Sequence, residues 1–454
     1  MSKRACVFIL LVVILGLPVP AMAGGGEEVV AVKAGTIWTG TGKAVTRGIV
    51  LIKAGKIEAI GKQEKVEIPT DARIIDLEDG VVLPGLVDPY SRLGLFSRTS
   101  ASFFPRGGTS RFSNRSDANP TAELFVRQEV FQDLLEAGVT TLALIPGSGG
   151  GITGQVSVIR PRGKCASEMI LKEGVLLRIA FGGGTSAKSG LKTLLDRAKS
   201  EQEKVDKARK RRADWEKREE KKRKKAEEKR KKAAKKKGAS SSGEEKKTDK
   251  KKAVSRGPKV PELKANLAPI VKARTGKLRV LLEISGQTVM DHFFEVLADR
   301  HELDIILVTD GRTAVETEDM LKEKKIPVLL TPGLATQRNT RVRINPSAIL
   351  EKAGIEFAFR PASDRLSSIR SIFFDLANLV KCGLSKQSAI KAVTLTPARW
   401  LGVGKEVGSL EKGKAANLIC FNGDPLASPL AELEYVMLDG QVVHGAGASR
   451  LEEE

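Results

Sequence analysis

The chain reads as an α/β protein, a mostly parallel sheet covered by helices, with a smaller β-structure built from both chain ends. Two patterns predict this. In the middle of the sequence, apolar runs of three to seven residues alternate with amphipathic helical stretches. At either end, short strand-like segments follow one another at close spacing, separated by glycine-containing turns. The composition suits such a fold, with 41% hydrophobic residues and 44 glycines to serve many strand–helix junctions.

Residues 29–82 give the first set of short strands: Val29–Lys33, Ile37–Trp38, Ile49–Lys53 and Lys56–Ile60, with Ala54-Gly55 and Gly61 as turn signals. Phe125–Ala137 has helical periodicity and leads through Gly138 into the strand Val139–Ile145. Val175–Phe181 is a further apolar strand. Leu278–Ile284, Ile305–Thr309, Val328–Leu330 and Ile355–Phe359 follow as strands, spaced by the helical Val289–Arg300, Ala314–Lys324 and Ser347–Ala353. Ile369–Lys381 and Lys386–Val393 read as helices. Residues 405–445 return to short strands, with an Asp439-Gly440 hairpin turn before Gln441–His444. By residues alone the central sheet is open or closed into a barrel.

Residues 196–258 interrupt this order. Asp196–Lys237 is rich in Lys, Glu, Arg and Ala, contains neither Gly nor Pro, and has almost no apolar stripe. It is expected as a protruding charged helix, followed by a flexible loop from Gly238. The formal charge of +22 suggests a nucleic-acid protein, but its distribution argues otherwise. Residues 199–252 hold 26 Lys/Arg against 12 Asp/Glu, so most of the excess resides there. Trp215 is the one aromatic in that stretch, which gives no support for base stacking or specific nucleic-acid recognition. The bland reading is a solvated helix; the functional one is adhesion to an anionic envelope polymer through residues 199–252.

Lys3 and Arg4, the apolar run Val7–Leu17 and Ala21-Met22-Ala23 form a secretory signal, residues 1–23, with cleavage expected after Ala23. The protein is therefore expected in the periplasm or outside the cell. Cys165, Cys382 and Cys420 remain after cleavage; three widely spaced cysteines form neither a disulfide framework nor a zinc ribbon, and buried inert thiols are expected.

Four stretches carry a family resemblance. Residues 49–88 run from a strand through Lys53-Ala54-Gly55-Lys56-Ile57 to Leu83-Pro84-Gly85-Leu86-Val87-Asp88. Residues 136–160 include Ala137-Gly138-Val139-Thr140-Thr141 and Pro146-Gly147-Ser148. Residues 383–402 hold Gly383-Leu384-Ser385 and the Thr396-to-Gly402 segment. Residues 407–425 run from Val407-Gly408-Ser409-Leu410 to Gly423-Asp424-Pro425. Together these resemble the metal-dependent amidohydrolase superfamily, near its imidazolonepropionase-like, secreted branch. The resemblance implies a distorted TIM (β/α)8 barrel over residues 83–400, with a β-sandwich formed by residues 27–82 and 401–447. It implies hydrolysis of a non-peptide C–N bond, including that of a cyclic amide, by water activated on zinc or another divalent ion.

The residues at the family's metal positions depart from it. The first barrel strand usually ends Asp-x-His-x-His, and here Asp88 is followed by Tyr90 and Arg92. A phenol is a poor zinc ligand at neutral pH, and a guanidinium repels a cation. The histidines of the fifth and sixth strands align with Glu283 and Asp310, and the last-strand aspartate, the family's general base, lies nearest to Asp364. No residue stands out for the fourth strand, whose end reads Gly182-Gly183-Gly184. No metal or other cofactor is expected. The set Tyr90, Arg92, Glu283, Asp310 and Asp364 leaves three readings: ion pairs plugging a dead pocket, a site where Arg92 grips a small anionic or amide ligand, or catalysis by an oxygen-ligated metal or by acid–base chemistry. A secreted ligand- or partner-binding pseudoenzyme is the alternative to a residual hydrolase. Oligomeric state is not readable.

Two motifs compete. Gly149-x-Gly151-x-x-Gly154 matches a dinucleotide fingerprint, but a strand rather than a helix follows it. Gly182–Ser189 approaches a phosphate loop, with Ala187 where its last glycine belongs. His292, His301 and His444 are read as core or surface histidines.

Overall fold

The computed structural model describes residues 29–42, 44–95, 112–147, 149–237, 257–297 and 303–448. The signal segment, the Gly238 loop and His301 lie outside the described residues.

The N-terminal strands are β1 (Val29–Ile37), β2 (Val45–Lys53), β3 (Lys56–Lys62), β4 (Arg73–Asp76) and β5 (Val81–Pro84). β6 (Leu86–Ser91) follows at once and belongs to a different sheet. Between β5 and β6, Gly85 has no room for a side chain, because a Cβ there would strike Thr140. That close approach is the physical content of Leu83-Pro84-Gly85: it lets β6 lie against the next barrel strand.

The second sheet contains β6, β7 (Ser113–Asn114), β8 (Val139–Leu144), β9 (Gly151–Ile159), β10 (Ile170–Ala180), β11 (Arg279–Glu283), β12 (Ile305–Val308) and β13 (Val328–Leu330). The β14–β15 ribbon (Ala335–Thr336, Arg343–Ile344) stands apart, and β16 (Phe357–Phe359) completes the sheet. Its order is β6-β8-β9-β10-β11-β12-β13-β16, with β7 added to β9. All neighbours are parallel except β9, which runs antiparallel to both β8 and β10. The sheet curls into a nearly closed barrel. No ladder joins β6 to β16; the helices Lys386–Val393 and Leu395–Trp400 pack against both edges instead.

The barrel has two apolar layers. Val87, Ala143, Val156, Val158, Leu176, Leu281, Ile306, Leu329 and Ala358 fill its interior, closed off by Ala398, Trp400, Leu401 and Val403. Residues of opposite parity on the same strands, such as Leu142, Leu177, Leu282 and Leu307, pack outward against the helices.

The chain end supplies β17 (Leu418–Phe421), β18 (Leu433–Leu438) and β19 (Gln441–His444). β17 pairs antiparallel with β5, Cys420 opposite Val82, so both ends of the chain form one eight-stranded sheet. It encloses Val32, Ile37, Val50, Ile52, Val82, Leu418, Cys420 and Met437. Its expected turns occur where φ is positive: Ala54 (50°) with Gly55 (76°), and Asp439 (49°) with Gly440 (77°), the left-handed pair that two-residue hairpins require. Of the cysteines, Cys420 is buried as expected, and burial raises its thiol pKa. Cys165 and Cys382 are exposed, contrary to expectation: Cys165 precedes the short helix Ala166–Met169, and Cys382 ends the helix Ile372–Lys381. Both occupy helix ends, where the side chain leaves the packed face.

The charged helix starts earlier than its composition suggests. A single helix runs from Thr185 to Lys237, 53 residues, or about 80 Å. Leu191, Leu195, Ala198 and Val205 are buried, so its first part belongs to the body, packed against β9 and the helices Ala268–Arg274 and Gln287–Leu297. After Val205 it leaves the body. Trp215 meets the returning chain at Gly257, where a Cβ would collide with the indole. Beyond Trp215 the described side chains are exposed except Glu219. Replacing residues 219–254 by a short Gly/Ser linker is therefore expected to leave the melting temperature within about 2 °C of the parent. A larger fall in a thermal melt would show that the outer arm supports the core.

Candidate functional site

The polar site forms the uppermost interior layer of the barrel. On β10, β11 and past β16, the inward positions run Leu176 then Arg178, Leu281 then Glu283, and Ala358 then Arg360. Two residues of strand advance carry the interior from apolar to charged. Tyr90 joins this layer from β6.

These four side chains meet. The Tyr90 hydroxyl donates to Glu283 Oε2 at 2.7 Å. Arg178 Nη2 donates to the same oxygen at 2.5 Å and to Tyr90 Oη at 3.2 Å. Arg178 Nη1 reaches Thr153 Oγ1 at 3.0 Å and the Gly147 carbonyl at 3.2 Å. The Arg360 guanidinium stacks on the Tyr90 ring, 4.9 Å from its centroid, and Arg178 approaches the same ring at 5.9 Å. Arg178 and Glu283 are each about 5% exposed, so the pair is removed from water. Burial pushes the Tyr90 hydroxyl up to about 12; Arg178 opposes that shift and Glu283 adds to it. Burial also opposes the charge on Arg178, but Tyr90 and Glu283 outweigh it and hold its pKa above the ordinary value. At neutral pH Tyr90 is a hydrogen-bond donor and Arg178 a fixed cation.

Arg92 and Asp364 are together, but elsewhere. Asp364 accepts from Ser91 Oγ (3.2 Å), the Arg92 backbone N–H (3.3 Å) and Arg92 Nε (3.4 Å). Asp364 lies in the loop after β16, whereas Ser91 and Arg92 end β6, so these bonds bridge the two edges that no ladder joins. Asp88 lies buried beside that seam and accepts from the Tyr90 backbone N–H at 3.0 Å. Burial pushes its carboxyl up to about 7; the Tyr90 N–H and Arg360 pull it down, and Asp364 pushes it further up.

Asp310 belongs to neither group. It caps the helix Gly311–Glu316, accepting from Thr313 N (2.9 Å) and Oγ1 (2.8 Å), while Ser285 Oγ donates to it at 3.0 Å. Burial raises its pKa, but these hydrogen bonds outweigh burial and keep it below the usual aspartate value.

Sequence reasoning singled out neither Arg178 nor Arg360 as a site residue. Arg178 had a legible signal: a lone charge inside the apolar run Val175–Phe181, which must find a partner if the strand is buried. Of the competing motifs, Gly151–Gly154 lies within β9, and Lys188 of the phosphate-loop-like segment pairs with Glu295 at 2.7 Å. His292 Nδ1 lies 3.1 Å from the Gly183 carbonyl, and His444 is in β19.

A cavity of about 190 Å³ opens beside the cluster, lined by Arg92, Arg115, Asn119, Glu123, Gly147 and Thr153 among others. It stands at the strand ends where barrel proteins carry their sites. A larger one, about 310 Å³, lies on the flank between the helix Ile372–Lys381 and β17–β18.

Residues 280–446 match the amidohydrolase family. An amidohydrolase from Thermotoga maritima superposes over 92% of this chain and all of its own, with a TM-score of 0.68 at 22% identity. The fold is the amidohydrolase barrel. A second amidohydrolase covers 93% of the chain and all of its own, at a TM-score of 0.50 and 14% identity. No curated protein matches the sequence.

That fold implies a divalent metal among the barrel strand ends, and the donor set here does not fit one. Glu283 Oε2 already accepts from a phenol and a guanidinium, and two guanidinium groups flank the Tyr90 ring. A divalent ion would have to enter beside two fixed positive charges. Among the described residues, no three His, Cys, Asp or Glu side chains are grouped to hold a metal.

The buried pair sets two expectations. Arg178→Met strands an ionised Glu283 and is expected to cost about 3–5 kcal/mol in denaturant unfolding. Adding Glu283→Gln, which still accepts from Tyr90, is expected to recover most of that loss; equal losses in the single and double variants would show that the pair is not the cause. Asp88 gives the second. Its folded pKa is near 7 against about 3.8 unfolded, so the folded state binds the proton more tightly. Its contribution is fully present below pH 3.8 and lost as pH rises to about 7, roughly 4 kcal/mol in all. Asp88→Asn is expected to flatten the stability profile across this window and to stabilise the protein at pH 8. A variant whose pH profile parallels the parent's would refute the assignment.

Proposed function

We propose that this chain is an exported amidohydrolase-fold protein whose barrel mouth binds a small anionic ligand and does not hydrolyse C–N bonds on a histidine-bound metal. The observation that carries this reading is the Tyr90–Arg178–Glu283 cluster: its cation is supplied by the protein itself. A guanidinium 2.5 Å from Glu283 gives that carboxylate the countercharge a metal would otherwise provide. It cannot supply an activated water, because arginine holds its protons at all working pH values. Arg178 is thus the internal cation, and Arg92, which lines the cavity wall and is steadied by Asp364, is the residue assigned to an incoming anion.

Export is supported by the basic start at Lys3 and Arg4, the apolar run Val7–Leu17 and the small residues Ala21 and Ala23. The amidohydrolase fold also keeps open the family's own chemistry, hydrolysis of an amide. Against it stands Asp364, the nearest match to the general base, which accepts from Ser91 and from both the backbone and side chain of Arg92.

Elemental analysis of the purified mature protein is expected to find far less than one tightly bound zinc, manganese or iron per chain. In thermal-shift measurements, small carboxylates or phosphates are expected to raise the melting temperature of the parent and not of Arg92→Ala. Near-stoichiometric metal would overturn the metal-free reading. Equal shifts in parent and variant would remove Arg92 from the ligand site.

A further inference from the structure

The outer arm, Glu216–Lys237, carries fourteen Lys/Arg and five Glu in 22 residues, and helical register sorts them. Each of the five Glu side chains is paired within the helix: Arg212–Glu216 (3.0 Å), Lys222–Glu219, Lys224–Glu220 and Lys232–Glu228 (2.8 Å each), and Lys231–Glu227 (3.0 Å). Arg218, Lys221, Lys225 and Lys229 have no carboxylate partner among the described residues, and all four are exposed. Their spacing of three, four and four residues places them on one face of the helix, about one cation per turn over roughly 16 Å. Glu216, Glu220 and Glu227 fall on the opposite face, and Glu219 and Glu228 fall at the two flanks. The acids therefore stay off the front of the arm, where Lys222 and Lys232, paired with Glu219 and Glu228, stand beside the four unpaired cations and complete a continuous cationic stripe; Lys217 and Arg223, also without a carboxylate partner among the described residues, lie on other faces.

We infer that this stripe is a binding surface for a linear phosphodiester polymer, read through its charge alone. Its row of unpaired cations is one residue wide and about one turn apart in its repeat, which suits a chain with one anion per unit. Three of these four cations are lysines, compact point charges that bind phosphate without a fixed approach geometry. Beyond Trp215 the arm has no aromatic residue, so bases or sugars are not stacked and recognition is independent of monomer identity. Its apolar residues there are Ala226, Ala233 and Ala234, which give no face that could enter a lipid interface. The inference is independent of the barrel reading.

The test uses the full mature chain and a fluorescent single-stranded oligothymidylate as the phosphodiester probe, with affinity measured by anisotropy across a salt series. Four single-strand phosphate contacts give a slope of log K against log salt of about −3, so binding weakens about fifty-fold between 50 and 200 mM salt. A variant carrying Arg218→Gln, Lys221→Gln, Lys225→Gln and Lys229→Gln is expected to lose at least about tenfold in affinity at 100 mM salt and about three units of slope. A second variant removes the same charge from other faces: Lys217→Gln, Arg223→Gln, Lys224→Gln and Lys231→Gln. It is expected to keep all but about one unit of slope. Circular dichroism confirms that both variants keep the helix. Equal losses in the two variants would overturn the stripe in favour of net charge. Tighter binding to poly-L-glutamate, or to phosphatidylglycerol vesicles, than to the oligonucleotide would overturn the phosphodiester assignment.

Discussion

An arginine and a glutamate buried inside a barrel impose a demand that the surrounding structure must meet. Bringing Arg178 and Glu283 out of water costs several kcal/mol per ion, and their attraction offsets this only when the remaining donors and lone pairs are satisfied. The barrel supplies most of those partners and leaves Arg178 Nε buried without one among the described residues. Thr153 and the Gly147 carbonyl take the second Arg178 nitrogen, and the Tyr90 hydroxyl shares Glu283 Oε2. Each partner comes from a different strand or strand end, so the pair ties β6, β9, β10 and β11 together across the interior. The antiparallel β9 is part of this. It brings Thr153 to the mouth end of the barrel, which the reversed strand reaches near its beginning. Once this layer is occupied by a fixed cation and its carboxylate, the chemistry of the barrel centre is set by the protein's own charges.

A second constraint follows from incomplete closure. β6 and β16 are neighbours in the curl of the sheet but share no backbone ladder. Buried strand edges need partners for their polar groups. Here the Asp364 carboxylate spans the gap to Ser91 and Arg92, and two helices cover it from outside. The seam also explains Asp88. Its carboxyl is enclosed by Leu86, Val87, Val139, Phe359, Ile369 and Ile372 and accepts from the Tyr90 backbone N–H, and burial outweighs that bond, so the neutral form is favoured. The two aspartates of the first and last strand regions thus act on the closure of the barrel, one as a bridge and the other as a buried proton site.

Much of the fold was legible because its signals are local. Strand parity, hairpin dipeptides such as Asp439-Gly440, and the Gly85 contact are each written in a few adjacent residues. The Tyr90–Glu283 and Arg92–Asp364 juxtapositions are legible only through the family resemblance, since each pair is separated by roughly two hundred residues or more. Arg92 and Glu283 were grouped in sequence, whereas in the structure Arg178 takes the position beside Glu283, because β10 and β11 are adjacent and in register. Asp310 has the composition of a ligand and the geometry of a helix cap. Only the chain's turn after β12, with Thr313 three residues on, distinguishes the two. The arm helix shows the same limit: charge density marks where it becomes exposed, while its start depends on where β10 ends.

The placement of that helix separates the two binding surfaces. It begins just after the mouth end of β10 and runs back along the barrel wall, as a crossover helix must to reach the start of the next strand. Near the end of its packed part, Gln202 accepts from Arg274, a residue that lies only a few positions before β11 begins. The helix has therefore travelled the length of the barrel before it leaves the body, and the exposed arm extends past the end opposite the mouth. Because one unbroken helix forms both the packed and the projecting parts, the arm's direction is fixed by Leu191, Leu195, Ala198 and Val205 in the core. A polymer held along the arm would leave the Arg92 cavity facing away from the point of attachment, so occupancy of one surface need not obstruct the other.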